Sequence, residues 1–95
     1  LSASVAVGSG ALYANTTGTS NAALGTFSLI SSTTGSYNTG IGHRAAQSAT
    51  TASNLTAVGY QSLNSLTTGD NNTAIGYQAG QNITTGANNI MIGRV

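Results

Sequence analysis

Few side chains in this 95-residue chain could do chemistry. The charged ones are Arg44, Asp70 and Arg94, and His43 is the single histidine. Cys, Lys, Glu, Pro and Trp are absent. One acid cannot form the carboxylate pair of a glycosidase. One His with one Asp is too little for a metal cluster or an acid/base pair. Ser and Thr hydroxyls are plentiful, but His43 is their one conceivable base and it stands beside Arg44, so nucleophilic catalysis has no constellation. Gly40-Ile41-Gly42 is a fragment of a dinucleotide-binding pattern; no Lys follows it and no strand–loop–helix frame surrounds it. Asp70, between Gly69 and Asn71, reads as a turn residue. The Asn-x-Ser/Thr sequons at Asn15, Asn54, Asn71 and Asn82 follow from the abundance of Asn and Thr. The expectation is a protein that is not an enzyme and needs no cofactor or metal.

The bulk composition excludes other classes. A net charge of +1 cannot hold a polyanion, so nucleic acid is not an expected partner. No apolar run approaches the ~18–20 residues of a membrane span. Without Cys there is no disulfide framework. The chain opens on Leu1 rather than Met, as a processed or excised piece of a longer fibre would. Thr, Ala, Gly, Ser and Asn together supply 64 residues, while Leu, Ile, Val and Phe supply only 18. Something other than a large globular core must order such a chain.

A repeat does so. Gly8, Gly25, Gly42, Gly59, Gly76 and Gly93 are each 17 residues apart. Thr pairs follow in register at 16–17, 33–34, 50–51, 67–68 and 84–85, and then Gly18, Gly35, Ala52, Gly69 and Gly86. An aliphatic residue precedes each first Gly: Val7, Leu24, Ile41, Val58, Ile75 and Ile92. Before that stands a small one, Ala6, Ala23, Gly40, Ala57 and Ala74, with Met91 the exception. Asn21, Asn38, Asn72 and Asn89 form a further column, broken by Ser4 and Leu55; Leu12, Leu29, Ala46, Leu63 and Gly80 form another.

Seventeen residues are too few for a helical-hairpin repeat, and β-branched stretches bounded by Gly and Asn read as strand–turn–strand–turn. The expected fold is all-β: residues 1–95 form one parallel β-solenoid, or β-roll, of about five and a half 17-residue coils, each with two short strands and two tight corners. At ~4.8 Å per coil the stack is ~27 Å long. The Val/Leu/Ile column is expected inside as a continuous spine, the Leu column beside it, and the Asn column as an amide ladder. Two large apolar side chains per coil, at ~1.5–3 kcal/mol each, balance poorly against the ~1–2 kcal/mol of ordering each residue. That deficit predicts a closed homo-oligomer, packed through flat Ala/Gly/Ser faces.

The Asn-Thr-Ala-Ile-Gly string at residues 72–76, with variants at 21–25 and 38–42, resembles the head repeats of YadA-like trimeric autotransporter adhesins. There an Asn-Ser-Val-Ala-Ile-Gly motif recurs along a left-handed parallel β-roll, and three rolls pack side by side. The longer unit here, with Tyr60-Gln61-Ser62-Leu63 or Tyr77-Gln78-Ala79 and a Thr-Thr-Gly corner, is similar to repeats of phage tail fibres. The resemblance spans residues 4–95, with a period of 17 that is longer than that of YadA-like heads. It implies a homotrimer, an extracellular location on a bacterial surface or a virion tail fibre, and attachment to a host-surface protein or glycan.

Contact residues are sought in the variable positions after the glycine column: Phe27, His43, Arg44, Tyr60, Gln61, Tyr77 and Gln78. His43-Arg44 reads first as a solvated surface pair, and Tyr60 with Tyr77 as a subunit seam or structural ladder before a ligand grip. The functional expectation is a structural and adhesive segment of a trimeric fibre. The competing expectation is an ice-binding solenoid, since Thr columns on a flat face are what such a protein displays. Against it, neighbouring Thr residues point to opposite sides of a strand, and Thr39, Thr56 and Thr73 extend over only three coils.

Overall fold

Each residue meets its counterpart one coil away. A computed structural model describes residues 3–94, and among these it has six three-residue strands. They are β1 (Val5–Val7), β2 (Ala22–Leu24), β3 (Thr39–Ile41), β4 (Thr56–Val58), β5 (Thr73–Ile75) and β6 (Ile90–Ile92). They pair in parallel, in chain order, in one sheet. The register is strictly i to i+17: Thr39 faces Thr56 and Thr56 faces Thr73. This is the expected parallel β-solenoid; the molecule measures 34 × 22 × 16 Å.

The coil differs from the expectation in three respects. First, the Thr pairs form no second strand among the described residues. Thr33, Thr50 and Thr67 each donate a single N–H to the carbonyl of the Thr one coil on, at 2.8–2.9 Å. The hydroxyls of the same residues donate to the same carbonyls, at 3.1–3.3 Å. One rung per coil is a ladder but not a strand. The second Thr of each pair is exposed, so the expected alternation survives only loosely.

Second, the Val/Leu/Ile column is not an internal spine. In a three-residue strand the flanking side chains share one face and the middle one takes the other. The middle residues Ala23, Gly40, Ala57 and Ala74 are buried, whereas Leu24, Ile41 and Ile75 are exposed. The interior admits only small residues opposite the Leu column, so the aliphatic residues are turned outward. The small columns accordingly line the coil interior. Leu12, Leu29 and Leu63 do fill the core, as expected, beside buried Ala45, Ala79 and Leu66. Volumes compensate between coils: Gly40 makes room for Leu29 and for the Ser28 hydroxyl, which donates to the Gly40 carbonyl at 2.8 Å.

Third, the Asn column bonds chiefly to backbone rather than amide to amide. Asn38 is 1% exposed; its Nδ2 donates to the Ala52 carbonyl at 2.9 Å and its Oδ1 accepts from the Leu55 N–H at 3.0 Å. Asn21 and Asn72 repeat the arrangement. Leu55 interrupts it, and Asn72 compensates by donating back to the Gly69 carbonyl at 3.3 Å as well as forward to Gly86 at 2.8 Å. Asn89 alone adds an amide–amide bond, to Asn72 at 3.0 Å. Truncating Asn38 to Ala strands one buried donor and one buried acceptor, and each is expected to cost about 1–3 kcal/mol. Asn38→Ala therefore lowers the denaturation midpoint well below that of Asn89→Ala, whose side chain is only half-buried; urea titration followed by circular dichroism measures both.

The segment between the glycine column and the Thr pair has its own hydrogen-bond logic. Ser28, Ile30 and Ser32 donate back three residues, to Gly25, Phe27 and Leu29. The N–H groups between them cross coils: Phe27 to Ser9, Leu29 to Ala45 and Ser31 to Gln47. To alternate in this way Phe27 and Leu29 adopt left-handed backbone, φ 63° and 51°. The same conformation recurs one coil on at Arg44 and Ala46, then at Gln61 and Leu63.

Candidate functional site

Two surfaces emerge from this backbone. The first is the outward face of the sheet. The flanking strand positions put Thr39, Thr56 and Thr73 in one row and Ile41, Val58 and Ile75 in the next, both in register. The aliphatic row continues through Val7 and Leu24 at one end and Ile92 at the other. Leu24 is 50% exposed, Ile41 and Ile75 39% each. The strands contain no charged residue. The outcome is a continuous, uncharged aliphatic row on the outward face of the sheet. Sequence reasoning missed it by placing the aliphatic column inside. The adjacent small column signalled only that one of the two columns must face out, since consecutive strand residues cannot both face the core.

The second surface carries the variable positions, and they separate into two columns. His43, Tyr60 and Tyr77 are exposed and stack along the coil axis. Tyr60 and Tyr77 lie 5.5 Å apart with planes 9° from parallel; His43 is 5.5 Å from Tyr60, tilted. Their faces are turned toward one another, and the Arg94 guanidinium lies 5.7 Å from the Tyr77 ring. Tyr60 and Tyr77 thus stack in parallel within one chain, while His43 meets Tyr60 at a tilt. Phe27, Arg44, Gln61 and Gln78 form the neighbouring column and are half-buried, not fully outward. Gln78 donates to Gln61 at 2.9 Å, continuing the ladder. Arg44 sits over Phe27 at 5.5 Å from its centroid, which is a cation–π geometry.

The charges are far from forming a site together. The Asp70 carboxylate accepts from the Ser53 N–H at 2.8 Å, in a ladder that Thr19, Ser36 and Ser53 build with their own N–H and hydroxyl groups. It lies in irregular backbone beside a bend at Asn71, not in the expected turn. Among the described residues no three His, Cys, Asp or Glu side chains gather, and no helix is long and apolar enough to cross a membrane. Of the sequons, Asn15 is tied to the Gly18 carbonyl at 3.0 Å, while Asn54, Asn71 and Asn82 are exposed. The Val95 position lies outside the described residues.

Two concavities open on the same flank. One, of about 330 Å³, lies by the last coil between Gly80, Ile83, Met91 and Arg94, where Gly80 stands in the column that Leu63 fills one coil earlier. The other, of about 270 Å³, lies between the second and third coils beside Arg44. Compared with protein-family models, curated proteins and solved structures, the chain matches none.

Proposed function

We propose that this chain is a structural and adhesive segment of an extracellular fibre, three copies of which pack through the outward sheet face. The observation that carries the reading is the exposed aliphatic row Leu24, Ile41, Val58 and Ile75 on a sheet face without charge. Covering it supplies the apolar burial that the thin coil interior lacks. The number three, the extracellular location and the attachment to a host-surface protein or glycan come from the likeness of the Asn-Thr-Ala-Ile-Gly units to YadA-like and tail-fibre repeats. In this reading the mechanism is mechanical: stacked coils hold a stiff rod that presents an adhesive surface.

Light scattering during gel filtration tests it. The expected mass is three times the 9.3 kDa of the chain, with a β-type circular dichroism spectrum. A folded monomer overturns the trimer.

A second reading has its own observation. Thr39, Thr56 and Thr73 stand in register on the outward face beside Ile41, Val58 and Ile75, a Thr row that adjoins an aliphatic row. An ice-binding solenoid would use that face uncovered. The two readings exclude each other there, because closing a trimer hides the rows. A monomer that produces thermal hysteresis supports the second.

A further inference from the structure

The column that holds Gln61 and Gln78 in the fourth and fifth coils is occupied by Arg44 in the third. The two glutamines bond each other. Arg44 breaks that pattern: its Nε is buried and has no hydrogen-bond partner. The one acid of the chain, Asp70, is engaged with Ser53. The guanidinium is nevertheless held in place, over the Phe27 ring. It borders the 270 Å³ groove, whose lining is Phe27, Ile30, Ser31, Arg44, Gln47 and Ser48.

The lining has three kinds of chemistry in one concavity. Arg44 offers a planar fork of donors suited to a carboxylate. Ser31, Ser48 and Gln47 offer uncharged hydroxyl and amide groups that donate and accept. Phe27 and Ile30 offer apolar surface. A carboxylate on a ring of hydroxyls with an apolar C–H face answers all three. A peptide could not join by strand addition here, because no strand borders the groove and β2 and β3 are already paired on both sides.

We infer that the groove at Arg44 is a binding site for a carboxylated sugar, a uronic-acid type of residue, with Arg44 holding the carboxylate. This deepens the attachment half of the fibre reading and takes its biological sense from it. The groove is built by a single chain, however, so it can fail while the trimer stands, and the reverse.

The test is a titration of the ¹⁵N-labelled protein, in whatever oligomeric state it has, with sodium glucuronate, glucose and sodium acetate. Saturable shifts are expected with glucuronate at millimolar concentration, at the amides of Ser31, Gln47 and Ser48 and at Arg44 Nε. Glucose and acetate should each bind roughly tenfold more weakly or worse, since each lacks one half of the recognition. Arg44→Gln installs the residue that the column carries in the next two coils, so the fold is expected to persist, and glucuronate affinity should fall roughly tenfold or more. Phe27→Leu, which keeps apolar volume but removes the face beneath the guanidinium, should weaken glucuronate more than glucose. The inference is overturned if glucuronate produces no saturable shift, if acetate matches it, or if Arg44→Gln binds as well as the wild type.

Discussion

Gly42→Ala is expected to abolish the folded solenoid. Two independent costs fall on one methyl group. The backbone at Gly42 has φ +125°, a conformation that L side chains rarely adopt. A Cβ there would also stand 2.7 Å from the Gly59 carbonyl oxygen and 2.8 Å from its carbon. Those atoms belong to the backbone of the next coil and cannot swing aside. Each coil is held to the next by ladder bonds through this region, among them Gly42 N–H to the Leu24 carbonyl and Gly59 N–H to the Ile41 carbonyl, at 2.8 and 2.7 Å. Moving the coils apart to admit the methyl breaks them. The dihedral cost alone is about 1–3 kcal/mol, and the overlap adds to it. In an array stabilised by nearest-neighbour interfaces, a broken interior interface separates the coils on either side.

Gly93→Ala isolates one of those costs. It belongs to the same column, with φ +88°, but among the described residues nothing lies within 4 Å of its would-be Cβ. It should retain the β spectrum and lose about 1–2 kcal/mol. Circular dichroism and urea titration of the two variants separate steric from dihedral effects. Equal stability of Gly42→Ala and Gly93→Ala would refute close coil stacking at the glycine column.

The repeat was fully legible in the sequence, because stacking forces identical environments at i and i+17 and so writes columns into the chain. The glycine column and the Leu column could be read for the same reason. What could not be read was which side of the coil a column faces. Periodicity locates counterparts one coil apart, but the inside of a narrow solenoid is decided by volume. Ala57 and Val58 both suit a core, and only the neighbouring Leu63 and Leu66 leave room for the smaller one. The left-handed backbone was half legible. Asn54, Asn71 and Asn88, at φ 61–62°, are residues that tolerate it, whereas Leu12, Leu29 and Leu63 adopt it with no sign in their type. They do so because their N–H groups must cross to the next coil while their neighbours bond within the turn. The candidate site was likewise read in part. The aromatic column was found, but the groove at Arg44 depends on the turn that brings Ser31 and Ser48 to the side of Phe27, and no spacing announces that.

If three chains pack through the outward sheet face, as proposed, Ile41→Lys combined with Ile75→Lys is expected to give a folded monomer instead. Both side chains are 39% exposed in the single chain, so long flexible replacements reach water without entering the coil interior. The two positions are separated by Val58, two coils apart at roughly 10 Å, which keeps the new charges from opposing each other directly. The inward neighbours Gly40 and Ala74 are untouched, so the solenoid itself should keep its β spectrum. Assembly is another matter. In a closed trimer each chain would bring two ammonium groups to a dry apolar seam with no acid to meet them, Asp70 lying outside the strands. Several kcal/mol of desolvation per charge is enough to lower the association constant by at least a thousandfold. Light scattering should therefore report one chain mass for the variant, against the three expected of the wild type under the proposed packing. Val58→Ala is the companion variant: it trims the same row without charge and should weaken assembly only partly. If the double-Lys protein keeps the trimeric mass, the seam lies elsewhere, and the aromatic column of His43, Tyr60 and Tyr77 becomes the next surface to alter. If it loses its β spectrum along with its mass, the outward row supports the single coil stack itself, and the exposure seen in one chain is not its state in solution.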